Sequence, residues 1–318
     1  EFEVLAGLKD AANLLSGLPV DVHALREGTH FDGGPVMRIE GPYRPFARYE
    51  TSLLGFLSYA SAVATAAREA KAASPDKPVL SFGARHIHPS AAAALERSAL
   101  IGGDVLDREA GGTMPHALVI CFGNGHQEEA WRAFDEGVGP DVPRVALVDT
   151  YSDEVDEALR AADTIPDLDS VRLDTTASRR GDFRAIAREV RWELDARGHG
   201  DVGIFVSGGL TPRNIEHLHD VVDGFGVGSY VSNADPVDFA LDIVEVDGEL
   251  AAKRGKLSGK KAVYRTPDGG HHVALEGADV EGEPLLEPLV RDGEIVREFD
   301  IEAATERCRE DATRVGGD

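Results

Sequence analysis

Cysteine is nearly missing from this sequence. Cys121 and Cys308 are its only two in 318 residues and lie far apart, which excludes a disulfide framework and a four-cysteine zinc ribbon. No apolar run approaches the length that a membrane helix requires, and no basic-then-apolar signal segment opens the chain. Internal repeats and low-complexity tracts are missing too. The default expectation is a soluble cytoplasmic enzyme with no membrane partner, long enough for one large or two moderate domains.

Basic charge is also short. Asp and Glu number 57 against 33 Lys and Arg, giving a net charge of −24 and a pI near 4.8. Only seven of the basic residues are lysine. Such a carboxylate-rich surface fits adaptation to high salt, where ions screen its self-repulsion. An ordinary acidic protein is the plainer alternative. If salt is needed, moving the protein from molar to millimolar salt lowers its melting temperature, and an unchanged melting curve rejects the adaptation. The charge also argues against a nucleic-acid partner, whose phosphates need a concentrated basic patch. Four of the seven lysines do cluster, in Lys253-Arg254-Gly255-Lys256-Leu257-Ser258-Gly259-Lys260-Lys261. A solvated basic loop is one explanation. In a chain this acidic an anion site is the stronger one, because the glycines let backbone approach a phosphate closely.

Apolar spacing predicts a helix near 4–16, strands around 20–25 and 36–39, and a long helix at about 48–73. From residue 78 short apolar strands (79–82, 144–148, 170–173, 203–206, 224–227) alternate with helical patterns near 89–101, 115–121, 153–162, 182–197 and 212–222. Repeated β–α units of this kind imply an α/β fold with a parallel sheet, open or closed into a barrel, with function at the carboxyl ends of its strands. After about 240 the alternation stops. Residues 242–246 read as a strand, Asp247-Gly248 as a turn, and the rest as acidic and turn-rich. Residues 76–239 are therefore expected to form a phosphate-binding α/β barrel, and 1–75 plus 240–318 a second domain built from both termini.

The polar motifs fall at strand ends. Ser207-Gly208-Gly209-Leu210 follows a strand and precedes a helix, and Gly226-Val227-Gly228-Ser229 closes the next strand in the same manner. Two such turns on successive units suit the paired phosphate site of a barrel rim. In Gly111-Gly112-Thr113-Met114-Pro115-His116, Thr113 suits the cap of a helix that Pro115 begins. His116 then falls in the first turn, where the helix dipole favours a neutral, nucleophilic imidazole. Arg172 and Asp174 share one face of a strand end, Asp149 ends the preceding strand, and Arg179 and Arg180 add two cations. An Arg–Asp salt bridge at the rim explains them equally well as a magnesium–pyrophosphate site. Arg85 at a further strand end suits bidentate binding of a carboxylate or phosphate. His86 and His88 lack a third ligand for zinc.

The stretches SFGARHIHP, GGTMPHAL, LVDTYSDE, VRLDTTASRRG, EVRWEL, VSGGL, FGVGS, DFALDIVEV and KRGKLSGKK, in this order over about residues 45–261, resemble the nicotinate phosphoribosyltransferase family, especially its compact archaeal members. The resemblance implies an irregular type II phosphoribosyltransferase α/β barrel beside an α/β sandwich domain, in a homodimer or larger homo-oligomer sharing its active site across the interface. It implies transfer of ribose 5-phosphate from phosphoribosyl pyrophosphate to nicotinate, giving nicotinate mononucleotide in NAD biosynthesis, with magnesium, ATP as co-substrate and no zinc. By the same resemblance His116 is the residue phosphorylated by ATP, and Thr113 and Arg172 hold nicotinate, with Arg85 also on substrate. Asp149 and Asp174 face the ribose and its metal. Ser207, Gly208, Gly209, Gly226, Gly228 and Ser229 receive the phosphate, and the loop around Lys256 covers it. The sequence departs from the family pattern at three places. His86 replaces the second arginine of FGxRR, Gly103 runs straight into Asp104 where relatives carry a longer loop, and the Asp-Xaa-Tyr-Phe segment that supplies an aromatic residue over nicotinate is not in the sequence. Quinolinate phosphoribosyltransferase, which takes a dicarboxylate, and a non-catalytic phosphate-binding barrel are the alternatives.

Overall fold

The structure is a computed structural model and describes residues 2–103, 114–176, 178, 181–266 and 269–315. The chain divides into two compact units, one of Glu1–Arg68, Ala93–Gly103 and Ala234–Asp318, the other of Glu69–Ala92 and Asp104–Asn233.

The second unit holds the alternating β–α units. Its five strands are three to five residues long and mostly buried, as short apolar runs in a covered parallel sheet should be. Their order is Val79–Ser81, Gly224–Val227, Gly203–Ser207, Ser170–Leu173, Val145–Leu147, with every pairing parallel. The first strand in sequence thus lies beside the last, which brings the Phe82–His86 segment next to the Gly226–Ser229 turn. Among the described residues these five strands form one open sheet, whose outer strands each have a single neighbour. A closed barrel and a flanking α/β sandwich were expected from the sequence. About eight strands give a barrel just wide enough to fill with side chains, and the sheet here has five.

Local signals position the helices that follow each strand. Asp153 caps Glu154–Thr164 through the Val155 amide, and Asp182 caps Phe183–Ala196 through those of Arg184 and Ala185. Thr211 and Asn214 form a reciprocal box at the start of Pro212–Leu218, with the proline in the first turn as its spacing predicts. The helix Gln127–Gly137 is not among the predicted elements. Its apolar stripe is only Ala130, Trp131 and Phe134, set among acids.

In the first unit, Leu8–Leu15 buries Leu8, Ala11, Ala12 and Leu15 in a core shared with Val22, Phe31, Leu53, Leu57, Leu289 and Val290. An antiparallel sheet runs in the order Glu294–Ile295, Glu287–Arg291, Asp21–Ala24, Met37–Glu40. The segment after 240, expected to be mainly turns, is instead organised. Glu245–Val246 and Glu249–Leu250 form a hairpin on the Asp247-Gly248 turn, Lys261–Arg265 pairs with His271–Leu275, and Ile301–Val315 is a helix. That helix buries Ala304, Thr305, Cys308 and Asp311, a stripe too small and polar to register as hydrophobic periodicity. Among the described residues no helix is long and apolar enough to cross a membrane.

Two helical glycines separate backbone propensity from packing. A Cβ on Gly102, in Ala92–Gly103, would sit 1.9 Å from the Ala64 carbonyl oxygen, whereas one on Gly55, in Glu50–Ala72, would meet nothing within 4 Å. Gly55→Ala should stabilise the protein by about 1 kcal/mol through helix propensity. Gly102→Ala should lose about 2 kcal/mol by overpacking the two helices. Denaturant unfolding of both variants reads the opposite signs.

Candidate active site

Strand Ser170–Leu173 delivers the central cation. Arg172 is 5% exposed, and its Nη1 donates to Ser207 Oγ at 2.9 Å and lies 3.2 Å from Asp174 Oδ1. Its Nη2 donates to the Met114 carbonyl at 2.7 Å, and its guanidinium carbon stands 5.8 Å from the centre of the Phe82 ring. The Nε–H, also buried, has no hydrogen-bond partner among the described residues. Burial lowers the pKa of Arg172 from its ordinary value and the nearby Arg85 adds to the drop, while Asp174 and Asp149 oppose it.

Two carboxylates and an imidazole stand around this cation. Asp149 Oδ2 accepts the Asp174 amide at 2.6 Å, and Ser207 donates its hydroxyl to Asp174 Oδ1. Burial raises the Asp149 pKa above the ordinary carboxylate value, and the Asp174 amide opposes that rise. His116 Nε2 is 3.7 Å from Asp149 Oδ1 and 3.7 Å from Asp174 Oδ2, and its Nδ1 is 3.1 Å from Thr150 Oγ1. The helix that carries it is His116–Phe122, so Pro115 is the residue before the helix and not its first turn as expected.

The glycine turns are built for close approach. Gly208 has φ +97°, and a Cβ there would lie 2.3 Å from the Asp174 carbonyl oxygen. Only glycine lets that turn reach the neighbouring strand end. Along Gly224–Val227 a Cβ on Gly226 would strike the Phe82 ring at 2.3 Å, so Gly226 makes room for the ring that faces Arg172. The His86 imidazole lies against Gly228, and its Nδ1 is 3.3 Å from Ser232 Oγ. Ser229 opens the short helix Ser229–Ser232.

The structure thus gathers His116, Asp149, Asp174, Arg172 and Ser207, continues from Ser207 into Gly208 and Gly209, and brings Arg85 into electrostatic range of Arg172. Lys256 belongs to the other unit, where it and Lys253 pair with Asp242 at 3.2 and 2.8 Å. Thr113, Arg179, Arg180 and Asp104 lie outside the described residues. Thr150, the Met114 carbonyl and Phe82 were not singled out from sequence. Thr150 and Met114 adjoin residues that were and Phe82 lies three before Arg85, but nothing in their spacing marks them. Among the described residues no group of three or more His, Cys, Asp or Glu side chains is arranged to hold a metal ion.

Short parallel strands whose carboxyl ends collect glycine turns, a buried guanidinium and paired carboxylates are what a site for a phosphate-bearing substrate needs, and the comparisons place the chain among the phosphoribosyltransferases. The chain belongs to the quinolinate phosphoribosyl transferase family, with residues 63–242 matching the model of its C-terminal domain and residues 1–61 that of its N-terminal domain. It is similar to the crystal structure of nicotinate-nucleotide pyrophosphorylase from Pyrococcus furiosus, at 48% identity and a TM-score of 0.94 over 100% of this chain and 87% of that one. It is also similar to nicotinate phosphoribosyltransferase pncB1 of Mycobacterium tuberculosis, at 29% identity over 94% of this chain and 72% of the relative. Human nicotinic acid phosphoribosyltransferase shares the fold, with a TM-score of 0.76 at 21% identity over 98% of this chain and 86% of that one.

The nicotinate phosphoribosyltransferase function inferred from the motifs is corrected by these matches. Both family models are those of quinolinate phosphoribosyl transferase, and the match at a TM-score of 0.94 is to a nicotinate-nucleotide pyrophosphorylase. The reason is chemical. Glycine turns, rim carboxylates and one arginine suit a phosphorylated donor and one carboxylate of an acceptor, and transfer to either pyridine calls for both.

Proposed function

We propose that this chain transfers ribose 5-phosphate from phosphoribosyl pyrophosphate to the pyridine dicarboxylate quinolinate, giving nicotinate mononucleotide, pyrophosphate and CO2. The observation that carries this is the buried Arg172 whose Nε–H has no partner among the described residues. A buried donor left unmade costs about 1–3 kcal/mol, which a substrate carboxylate would recover. Arg85, close enough to lower the Arg172 pKa, supplies the second cation that a dicarboxylate needs. Phe82 offers its ring beside the same guanidinium.

In this scheme Arg172 and Arg85 fix the acceptor with its ring nitrogen toward the anomeric carbon. As pyrophosphate departs, Asp149 and Asp174 stabilise the positive charge developing on the ribose. The 2-carboxylate then leaves as CO2, and the electron pair left on the ring carbon takes up a proton. Loss of CO2 draws the reaction forward without ATP or a phosphorylated His116. Ser207, Gly208 and Gly209, with Gly226, Gly228 and Ser229, form the two turns that hold the sugar phosphate. Magnesium is the proposed cofactor. Asp149 Oδ1 is buried without a hydrogen-bond partner among the described residues, and it and Asp174 Oδ2 each lie 3.7 Å from His116 Nε2. Two carboxylate oxygens completed by substrate phosphates suit that ion, which when bound offsets the charge of the leaving pyrophosphate.

The test supplies phosphoribosyl pyrophosphate and magnesium with either quinolinate or nicotinate, and follows nicotinate mononucleotide by mass together with release of CO2 labelled at the 2-carboxylate. Product with stoichiometric label release from quinolinate, unaffected by ATP, is expected. Product from nicotinate alone overturns the acceptor, and no product from either, with phosphoribosyl pyrophosphate still bound, makes the site a non-catalytic phosphate binder.

A further inference from the structure

Glu157 lies in the helix Glu154–Thr164, outside the constellation described above, and is 0% exposed. A buried carboxylate is costly unless its lone pairs are engaged. Here Oε1 accepts the amides of Tyr151 and Ser152, both at 2.9 Å, and the Gln127 side-chain amide at 3.2 Å. Oε2 accepts the Thr150 amide at 3.0 Å. Gln127, itself fully buried, is oriented by the Gly125 amide, which donates to its Oε1 at 2.9 Å. Among the described residues no Lys, Arg or His forms an ion pair with Glu157, so its charge is met by oriented N–H groups near the start of its own helix.

Three successive backbone amides converging on one carboxylate determine the path of residues 150–152. That loop follows strand Val145–Leu147 and carries Asp149 at one end. It also carries Thr150, whose hydroxyl meets His116 Nδ1 and so leaves Nε2 pointing between Asp149 and Asp174. We propose that Glu157 is a positioning residue, which holds the Thr150 backbone so that the Thr150 hydroxyl fixes the orientation of the His116 imidazole. This rests on the reading of the site as a phosphoribosyltransferase centre only for its kinetic consequence.

Glu157→Gln keeps the shape but turns an N–H donor toward the loop amides. It should lower kcat by about tenfold or more, in the range seen when outer hydrogen-bond partners of site residues are removed. The KM for phosphoribosyl pyrophosphate should stay within about twofold. The 15N signals of the His116 ring, read at one fixed pH, should shift. Thr150→Val leaves the clasp, and with it the Asp149 end of the loop, intact and removes only its last link, so it should reproduce the His116 shift, with Thr150→Ser restoring it. A folded Glu157→Gln protein with unchanged kcat and His116 signals overturns the proposal. So does a Thr150→Val protein that behaves like the parent, whether or not Glu157→Gln folds. If the parent transfers no phosphoribosyl group, the function proposed above fails, and the His116 signals of the same proteins still decide the positioning role.

Discussion

Arg172→Ala is expected to lower kcat/KM by about a thousandfold, or about 4 kcal/mol of transition-state stabilisation. The guanidinium does three things that no neighbour duplicates. It bridges Ser207 and Asp174 on adjacent strands, closes on the Met114 carbonyl, and keeps one buried N–H for a ligand. Truncation removes the contact proposed for the acceptor carboxylate and leaves Asp174 without its counter-ion, so both the acceptor KM and kcat should suffer. Arg172→Lys should rescue little. A lysine ammonium is a point donor and cannot reach Ser207, Asp174 and the Met114 carbonyl while also meeting a carboxylate in a plane. Steady-state kinetics on all three proteins, with phosphoribosyl pyrophosphate binding measured separately, reads the result. A lysine variant within about tenfold of the parent would mean that charge alone suffices, and the role given to the planar guanidinium of Arg172 would be abandoned.

Much of this centre was legible in the residues because it depends on strand ends. Arg172 and Asp174 sit two apart and so share a face. Asp149 and Ser207 each close a short apolar run, and Gly208 advertises a turn that other residues would strain. Those inferences need only periodicity and turn chemistry. The acceptor was not legible in the same way. Whether a guanidinium faces one carboxylate or two depends on where Arg85 lies, and Arg85 is brought to Arg172 by pairing between the first and last strands of the sheet, which no local pattern encodes. Thr150 and Glu157 were hidden for a related reason: their roles consist of hydrogen bonds to backbone and to a distant imidazole. The C-terminal helix was missed because it buries alanine, threonine, cysteine and aspartate where a hydrophobic stripe would normally stand.

That helix carries the last expected effect, a loss of stability in acid that originates in the first unit. His30 Nε2 lies 3.4 Å from Cys308 Sγ, and the His30 amide donates to Asp311 Oδ2 at 3.1 Å. A cysteine beside a histidine invites comparison with a catalytic dyad, but the electrostatics run the other way. Burial pushes the Cys308 thiol up to about 12 and the His30 imidazole down to about 4, with Arg68 and Arg265 adding to the latter and Asp311 resisting it. Both groups are therefore held neutral, and the thiol is no nucleophile. For His30 the folded state resists a proton that the unfolded chain accepts near its ordinary value of 6.5. Its contribution to stability is present in full above that value and is lost as pH falls from there through about 4, amounting in all to about 3 kcal/mol. The protonation of surface carboxylates acts in the opposite sense, relieving the self-repulsion of a −24 chain, so the parent curve alone does not isolate the effect. His30→Gln removes the titration and keeps a polar side chain in the pocket. Denaturant unfolding of the two proteins between pH 7 and pH 4 should show the parent losing about 3 kcal/mol more than the variant. Parallel curves would mean that the imidazole is protonated inside the folded protein at little cost, with Asp311 as its partner.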